Sequence, residues 1–145
     1  MTCDLRESVE LAIGEMPDYS MYYVLAHYHQ WGDYFKLSYV GNGPERTIFE
    51  ITTQAGEPLG ATIDPPISSQ GATGLRLTCG YTNDTDETLT FGFQDKEMCV
   101  FLAYIDAPVK IGVGSGPNTP MGPNEDGVFM HEAECGDVVA LHDPD

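Results

Sequence analysis

Short segments in which hydrophobic and polar residues alternate recur along the chain, and this alternation is typical of half-buried β-strands. The pattern predicts strands over residues 6–13, 21–29, 34–40, 46–53, 75–81 and 88–93, and short closing strands over 128–130 and 138–141. The segment 97–105 is almost entirely apolar, which predicts a central strand covered on both faces. No segment of twelve residues keeps a helical period, so a helix is expected only as one turn near the N-terminus.

Glycine and proline divide the chain into these short segments. The 16 glycines and 10 prolines are spread along the whole sequence, as in domains that turn after every strand. Two stretches rich in these residues, 56–74 and 112–127, are expected to be long ordered loops. The sequence therefore predicts one all-β domain over residues 1–145, an antiparallel β-sandwich or jelly roll of about eight short strands.

Composition and charge exclude several classes of partner. Hydrophobic residues make up 41% of the 145 residues, which is enough to build a core at this length. The formal net charge of −17 argues against nucleic acid and anionic membranes, because both bind basic surfaces. No run approaches the roughly 20 apolar residues that a membrane-spanning helix needs, so no membrane span is expected.

Four cysteines, Cys3, Cys79, Cys99 and Cys135, are widely spaced and form no C-x-x-C motif. Their even number fits two disulfides and an extracellular or periplasmic location. No apolar signal segment follows Met1, so an exported protein would have had its signal peptide removed. Three disulfide connectivities are open, and four buried thiols in a cytosolic protein are the alternative.

His27 and His29 are the first candidates for chemistry. Residues i and i+2 of a strand point to the same face, so both imidazoles would project side by side. Such a pair is either a metal site or a polar surface feature. Met98 offers a soft thioether, which suits copper, especially Cu(I), but methionine is also a common core residue. Spacing and composition leave both interpretations open.

Three motifs together resemble a known family. They are His27-Tyr28-His29, the run Cys79-Gly-Tyr-Thr-Asn and the run Glu97-Met98-Cys99. They are similar to motifs of the copper type II, ascorbate-dependent monooxygenases, which include peptidylglycine α-hydroxylating monooxygenase and dopamine β-monooxygenase. The similarity is to the second of the family's two jelly-roll domains and spans residues 27–105. A further run over 58–76 resembles single-domain segments of bacterial relatives.

The resemblance implies a specific site. One copper would be held by His27, His29 and Met98, and would bind O₂ for C–H hydroxylation with an external electron source. No catalytic residue beyond these metal ligands is implied. The family has a disulfide beside the methionine, which here implies Cys79–Cys99 and leaves Cys3 to pair with Cys135.

The chain also departs from the family. It lacks the first domain and its adjacent His-His pair, so a second copper domain or another electron donor would be a separate partner. The family's peptide-hydroxylating members bind a substrate carboxylate through an arginine and a tyrosine, and the matching positions are Leu25 and Leu102. This argues against a glycine-extended peptide and leaves the substrate, a small molecule or a peptide, unidentified. The alternative is a non-catalytic copper-binding or interaction module, or a metal-free one.

Overall fold

A computed structural model describes residues 1–53, 59–93 and 96–141. Within these ranges the chain forms one helix and nine strands. In chain order they are β1 Thr2–Asp4, α1 Arg6–Ile13, β2 Ser20–His27, β3 Gly32–Gly41, β4 Gly43–Ile51, β5 Leu59–Ser68, β6 Ala72–Tyr81, β7 Val100–Ile105, β8 Val109–Pro123 and β9 Phe129–Leu141.

The strands form three sheets, and all the neighbouring strands are antiparallel. A four-stranded sheet has the order β1-β6-β3-β4, a three-stranded sheet has the order β5-β2-β7, and β8 pairs with β9. The hydrophobic core takes residues from both larger sheets, such as Phe35 and Leu37 of β3 and Val24 and Ala26 of β2. The predicted all-β antiparallel fold is confirmed.

Residues 6–13, predicted as a strand, form the helix α1. Leu5 and Val9 are fully buried and Ile13 packs against the same core, so the buried positions recur every four residues. A strand would place Leu11 on the same face as Val9, yet Leu11 is 87% exposed. The helix ends at Gly14, whose positive φ of 86° lets its N–H donate to the Glu10 carbonyl at 2.8 Å.

Both predicted loops are largely strands. Residues 59–68 form β5 and residues 72–81 form β6, while 56–58 lie outside the described residues. Most of the predicted loop 112–127 belongs to β8, and the two predicted closing strands are parts of the single strand β9. β5, β8 and β9 are all edge strands. An edge strand tolerates proline because the missing N–H can lie on the side that has no neighbouring strand.

The segment 97–105 is not a central strand. Its regular part is β7, which pairs with β2 at the edge of the three-stranded sheet. The predicted return strand 88–93 is also absent from the described residues, where one isolated bridge joins Phe91 to Glu97.

The structure forms both of the disulfides expected from the resemblance. Cys3 in β1 is bonded to Cys135 in β9, with 5.3 Å between their Cα atoms. Cys79 in β6 is bonded to Cys99, which directly precedes β7, with 6.0 Å between their Cα atoms. Each bond therefore joins the four-stranded sheet to a different neighbouring sheet. In the part of the chain that is described, no helix is long and apolar enough to cross a membrane.

The close approach of β1 to β6 gives a stability prediction. A Cβ atom at Gly74 would lie 1.8 Å from the Cys3 carbonyl oxygen, so Gly74→Ala must push the two backbones apart. We expect a loss of about 3 kcal/mol in the free energy of unfolding, the upper range for overpacking, measured by urea denaturation. The control is Gly136→Ala in β9, where a Cβ atom meets nothing within 4 Å. Equal effects of the two substitutions would contradict this prediction.

Candidate metal centre

His27 and His29 lie side by side at one end of the three-stranded sheet. His27 is the last residue of β2, and His29 follows just beyond the strand. Their ring centroids are 5.0 Å apart and the ring planes meet at 75°. Tyr28 between them turns into the core, where it stacks on Phe35 and donates a hydrogen bond to the Thr53 carbonyl. The buried Tyr28 keeps both imidazoles on the opposite side of the chain.

The hydrogen bonds of His29 define which ring nitrogen is available. Nδ1 is hydrogen-bonded to the backbone carbonyl of Lys96. A carbonyl oxygen can only accept, so Nδ1 carries the proton and Nε2 keeps its lone pair. This arrangement, with one ring N–H held by a backbone carbonyl, is the usual one for a histidine that ligates a metal through its other nitrogen.

His27 has a buried nitrogen that needs a partner. Its Nδ1 is inaccessible to solvent and has no hydrogen-bond partner among the described residues. A buried polar atom without a partner is uncommon in folded proteins and costs free energy. A metal ion bound at Nδ1 would offset that cost, so the environment of His27 fits a ligand better than it fits a surface residue.

Glu97 connects the two chain segments that carry the candidate ligands. Its side chain is only 5% exposed. Oε2 accepts hydrogen bonds from the backbone N–H groups of His29 at 2.9 Å and Met98 at 3.3 Å, and Oε1 accepts one from Trp31 at 2.9 Å. The sequence pattern assigned Glu97 no role, although a single acidic residue at the start of an apolar segment was a signal that it is buried and bonded.

Met98 lies in the segment that directly precedes β7. The last cross-strand pair of β2 and β7 is His27 with Val100, and beyond it Oε2 of Glu97 accepts the backbone N–H groups of both His29 and Met98. The Met98 carbonyl accepts a hydrogen bond from the Tyr81 hydroxyl at 2.8 Å, and Cys99 is fixed by its disulfide. Met98 is 7% exposed but is not part of the main hydrophobic cluster of the described residues. Its backbone is therefore held firmly from both sides.

The three-stranded sheet has one face that carries His27, and we call it the outer face. Its residues alternate with those that point into the core. On β2 and β7 they are mostly apolar, and in sequence order they are Tyr23, Leu25, His27, Val100, Leu102 and Tyr104. Leu25 is the cross-strand partner of Leu102, and Tyr23 is that of Tyr104. Leu102 is 66% exposed and Tyr104 is 65% exposed. Leu25 and Leu102 are thus neighbours on this face, and neither carries a charge.

Other groupings of metal ligands are absent from the residues that the structure describes. No set of three or more His, Cys, Asp or Glu side chains is placed to hold a metal ion there. The candidate set is of another kind, because its third member is a thioether. His131 lies on β9 beside Phe129, in a different sheet from the pair, and His142 lies outside the described residues.

Comparison of the chain with protein-family models, with curated proteins and with solved structures finds no match.

Proposed function

We propose that the chain is a copper-binding domain of monooxygenase type. His27 and His29 would hold a single copper, with Met98 as a weaker third ligand. The observation that carries the proposal is the pair of imidazoles 5.0 Å apart, in which His29 keeps Nε2 available and His27 has a buried nitrogen without a partner among the described residues. The resemblance of the surrounding motifs to the copper type II monooxygenases supports the same assignment.

The donor set favours copper over other common ions. Imidazole binds both Cu(I) and Cu(II), whereas a thioether favours Cu(I). Magnesium and calcium prefer oxygen ligands, and the carboxylate that is bonded to the His29 backbone, that of Glu97, already accepts hydrogen bonds from three backbone N–H groups. Two nitrogens and one sulfur leave positions open for another ligand.

Copper bound at this site would supply one-electron redox chemistry and oxygen activation. In the proposed reaction, O₂ and a substrate C–H bond take up two electrons and two protons, giving the C–OH product and one water. Both electrons come from outside this chain, from a separate electron donor or a second copper domain. We assign no acid or base among the side chains.

The chain's own residues position the ligands and the substrate. The Lys96 carbonyl orients the His29 ring, and Glu97 holds the turn after β2 against the segment that carries Met98. Leu25 and Leu102 give a substrate an apolar surface beside His27 and no partner for a carboxylate. The substrate is therefore proposed to present an apolar C–H group. The two disulfides support an extracellular or periplasmic location.

Metal titration tests the copper site. We expect the metal-free protein to take up one copper per chain, with a type 2 EPR spectrum that shows nitrogen ligands. His27→Ala and His29→Ala should each abolish tight Cu(II) binding. Met98→Ala should weaken Cu(I) far more than Cu(II), which lowers the reduction potential. His131→Ala is the matched control and should bind copper as the parent does. If the variant lacking both His27 and His29 kept the parent's affinity, the copper site would lie elsewhere.

Oxygen consumption separates catalysis from binding. The copper-loaded protein, given ascorbate and candidate substrates with apolar C–H groups, should consume O₂ and form the hydroxylated product in equal amounts. The His27→Ala, His29→Ala double variant with the same added copper measures the background. Tight copper binding without oxygen uptake above that background would instead identify a non-catalytic copper-binding or interaction module.

A further inference from the structure

A second candidate site lies next to the turn that follows His29. A cavity of about 530 Å³ opens there between the start of β3 and the segment after β6, and its lining among the described residues includes none of the candidate copper ligands. Trp31, Asp33, Thr82, Asp84 and Thr85 are among the residues that form its walls. Trp31 is the one tryptophan of the chain, so all of the tryptophan fluorescence comes from a residue in the wall of this cavity.

Hydrogen bonds fix the walls of the cavity. The Trp31 indole N–H donates to Oδ1 of Asp84 at 3.1 Å, and the Thr82 hydroxyl donates to Oδ2 of Asp33. The backbone joins the same two segments, because the Thr82 N–H donates to the Trp31 carbonyl at 2.9 Å. The Trp31 N–H is in turn held by the buried Glu97. The aromatic ring and both carboxylates are therefore held in place before any ligand arrives.

The lining selects for positive charge. Within the described part of the chain it contains two carboxylates and no lysine or arginine. The bonds from Trp31 and Thr82 each use one oxygen of a carboxylate, and each carboxylate has a second oxygen that can accept a hydrogen bond. The single N–H of the indole is also used, so Trp31 offers its carbon surface. An aromatic surface attracts a cation, and carboxylate oxygens form strong charge-assisted hydrogen bonds with an ammonium group.

We propose that this cavity binds an organic ammonium ion, R–NH₃⁺. Asp33 and Asp84 would accept hydrogen bonds from the ammonium group, and Trp31 would pack against the attached carbon chain. The ion could be a free alkylamine or the lysine side chain of a peptide, since both present the same group. The proposal does not depend on copper, because the lining residues and the candidate copper ligands are different side chains.

Tryptophan fluorescence tests the proposal directly. The protein is titrated with n-butylammonium chloride and, separately, with n-butanol, which has the same carbon chain without the charge. A chelator is present throughout, so no metal takes part. We expect a saturable change with the ammonium ion and no saturable change with the alcohol. Equal responses to the two probes would overturn the proposal. A protein that does not respond to the ammonium ion but responds to calcium, when the chelator is left out, would overturn it as well.

Two isosteric substitutions locate the binding. Asp33→Asn and Asp84→Asn remove one charge each but keep an oxygen that can accept the hydrogen bonds from Thr82 and Trp31. Each should weaken n-butylammonium binding at least tenfold. Glu125→Gln, which removes one charge from the β8–β9 turn, is the matched control and should not change binding. Asp84 is hydrogen-bonded to the Trp31 ring, so Asp84→Asn can change the fluorescence by itself. Ligand-observed NMR therefore provides a second measurement of affinity. If the Asp33→Asn, Asp84→Asn double variant bound n-butylammonium as tightly as the parent does, the proposal would be overturned.

A final comparison distinguishes the two sources of the ammonium group. N-acetyl-lysine methylamide is titrated beside n-butylammonium, with its Nε-acetylated form as the neutral control. Tighter binding of the lysine compound indicates a peptide side chain as the ligand, and tighter binding of n-butylammonium indicates a free amine. If the Nε-acetylated compound bound as tightly as N-acetyl-lysine methylamide, the result would contradict an ammonium site.

Discussion

Replacing Cys3 and Cys135 together by alanine is expected to lower the free energy of unfolding by about 5 kcal/mol, a larger loss than we expect from any other substitution proposed for this chain. The two residues are 132 positions apart, so their bond constrains almost the whole unfolded chain. The chain-entropy model assigns a loop of that length a contribution of this size. The measurement is urea denaturation of the oxidised parent and the double variant under identical conditions.

The second disulfide is the internal comparison. Cys79 and Cys99 are 20 positions apart, for which the same model gives about 3 kcal/mol. The Cys79→Ala, Cys99→Ala variant should therefore be more stable than the Cys3→Ala, Cys135→Ala variant. It should nevertheless lose more Cu(I) affinity, because Cys99 adjoins Met98. The reverse order of stabilities would show that strain or residual structure, rather than loop length, determines the effect.

Glu97→Leu is expected to cost about 4 kcal/mol of stability, because three backbone N–H groups lose a buried acceptor at once and each unpaired group costs roughly 1–3 kcal/mol. The donors belong to His29, Trp31 and Met98. The same change should reduce copper affinity about tenfold, as expected when a residue that positions a metal ligand is lost. Urea denaturation and copper titration measure the two effects.

Two variants bracket that prediction. Glu97→Gln keeps one acceptor oxygen and should lie between the parent and Glu97→Leu in both measurements. Glu125→Leu replaces an exposed glutamate and should change stability by less than about 0.5 kcal/mol. A stable Glu97→Leu variant with parental copper affinity would mean that the turn after β2 is held by other contacts.

The alternation of apolar residues predicted the fold where strands have one buried and one open face. It was correct for β3, whose inward residues Phe35, Leu37 and Tyr39 are all buried. It failed for residues 6–13, where apolar residues fit a period of two and a period of four equally well. The burial of Leu5 and Val9 against the core decided in favour of the helix, and no local pattern shows that in advance.

Proline and glycine misled the prediction at the sheet edges. They were read as loops over 56–74 and 112–127, yet β5 carries Pro65 and Pro66 within a strand. An edge strand needs only half of its backbone groups for pairing, so it tolerates these residues. Which strands lie at an edge depends on the order of the strands in the sheets, and the local sequence does not predict that order.

The side-by-side placement of His27 and His29 was predictable, but the contacts that support it were not. The spacing of His27 and His29 gave their shared face, and the pairing of the imidazoles agrees with it. The exposed apolar residues Leu102 and Tyr104 were expected inside a central strand and instead lie on the outer face. The roles of Glu97 and of the Lys96 carbonyl follow from long-range contacts. Glu97 is 68 positions and Lys96 is 67 positions along the chain from His29, to which both are hydrogen-bonded. Contacts of that range depend on the tertiary fold.

The bond between Cys3 and Cys135 makes most of this protein a covalent ring. Residues 3 to 135 form a closed circle of main chain and one sulfur–sulfur bond, with the Cα atoms of the joined residues 5.3 Å apart. A protease that cuts the circle once opens it without releasing either part. A nicked molecule should therefore keep the mass of the intact chain plus one water and separate into fragments only after reduction.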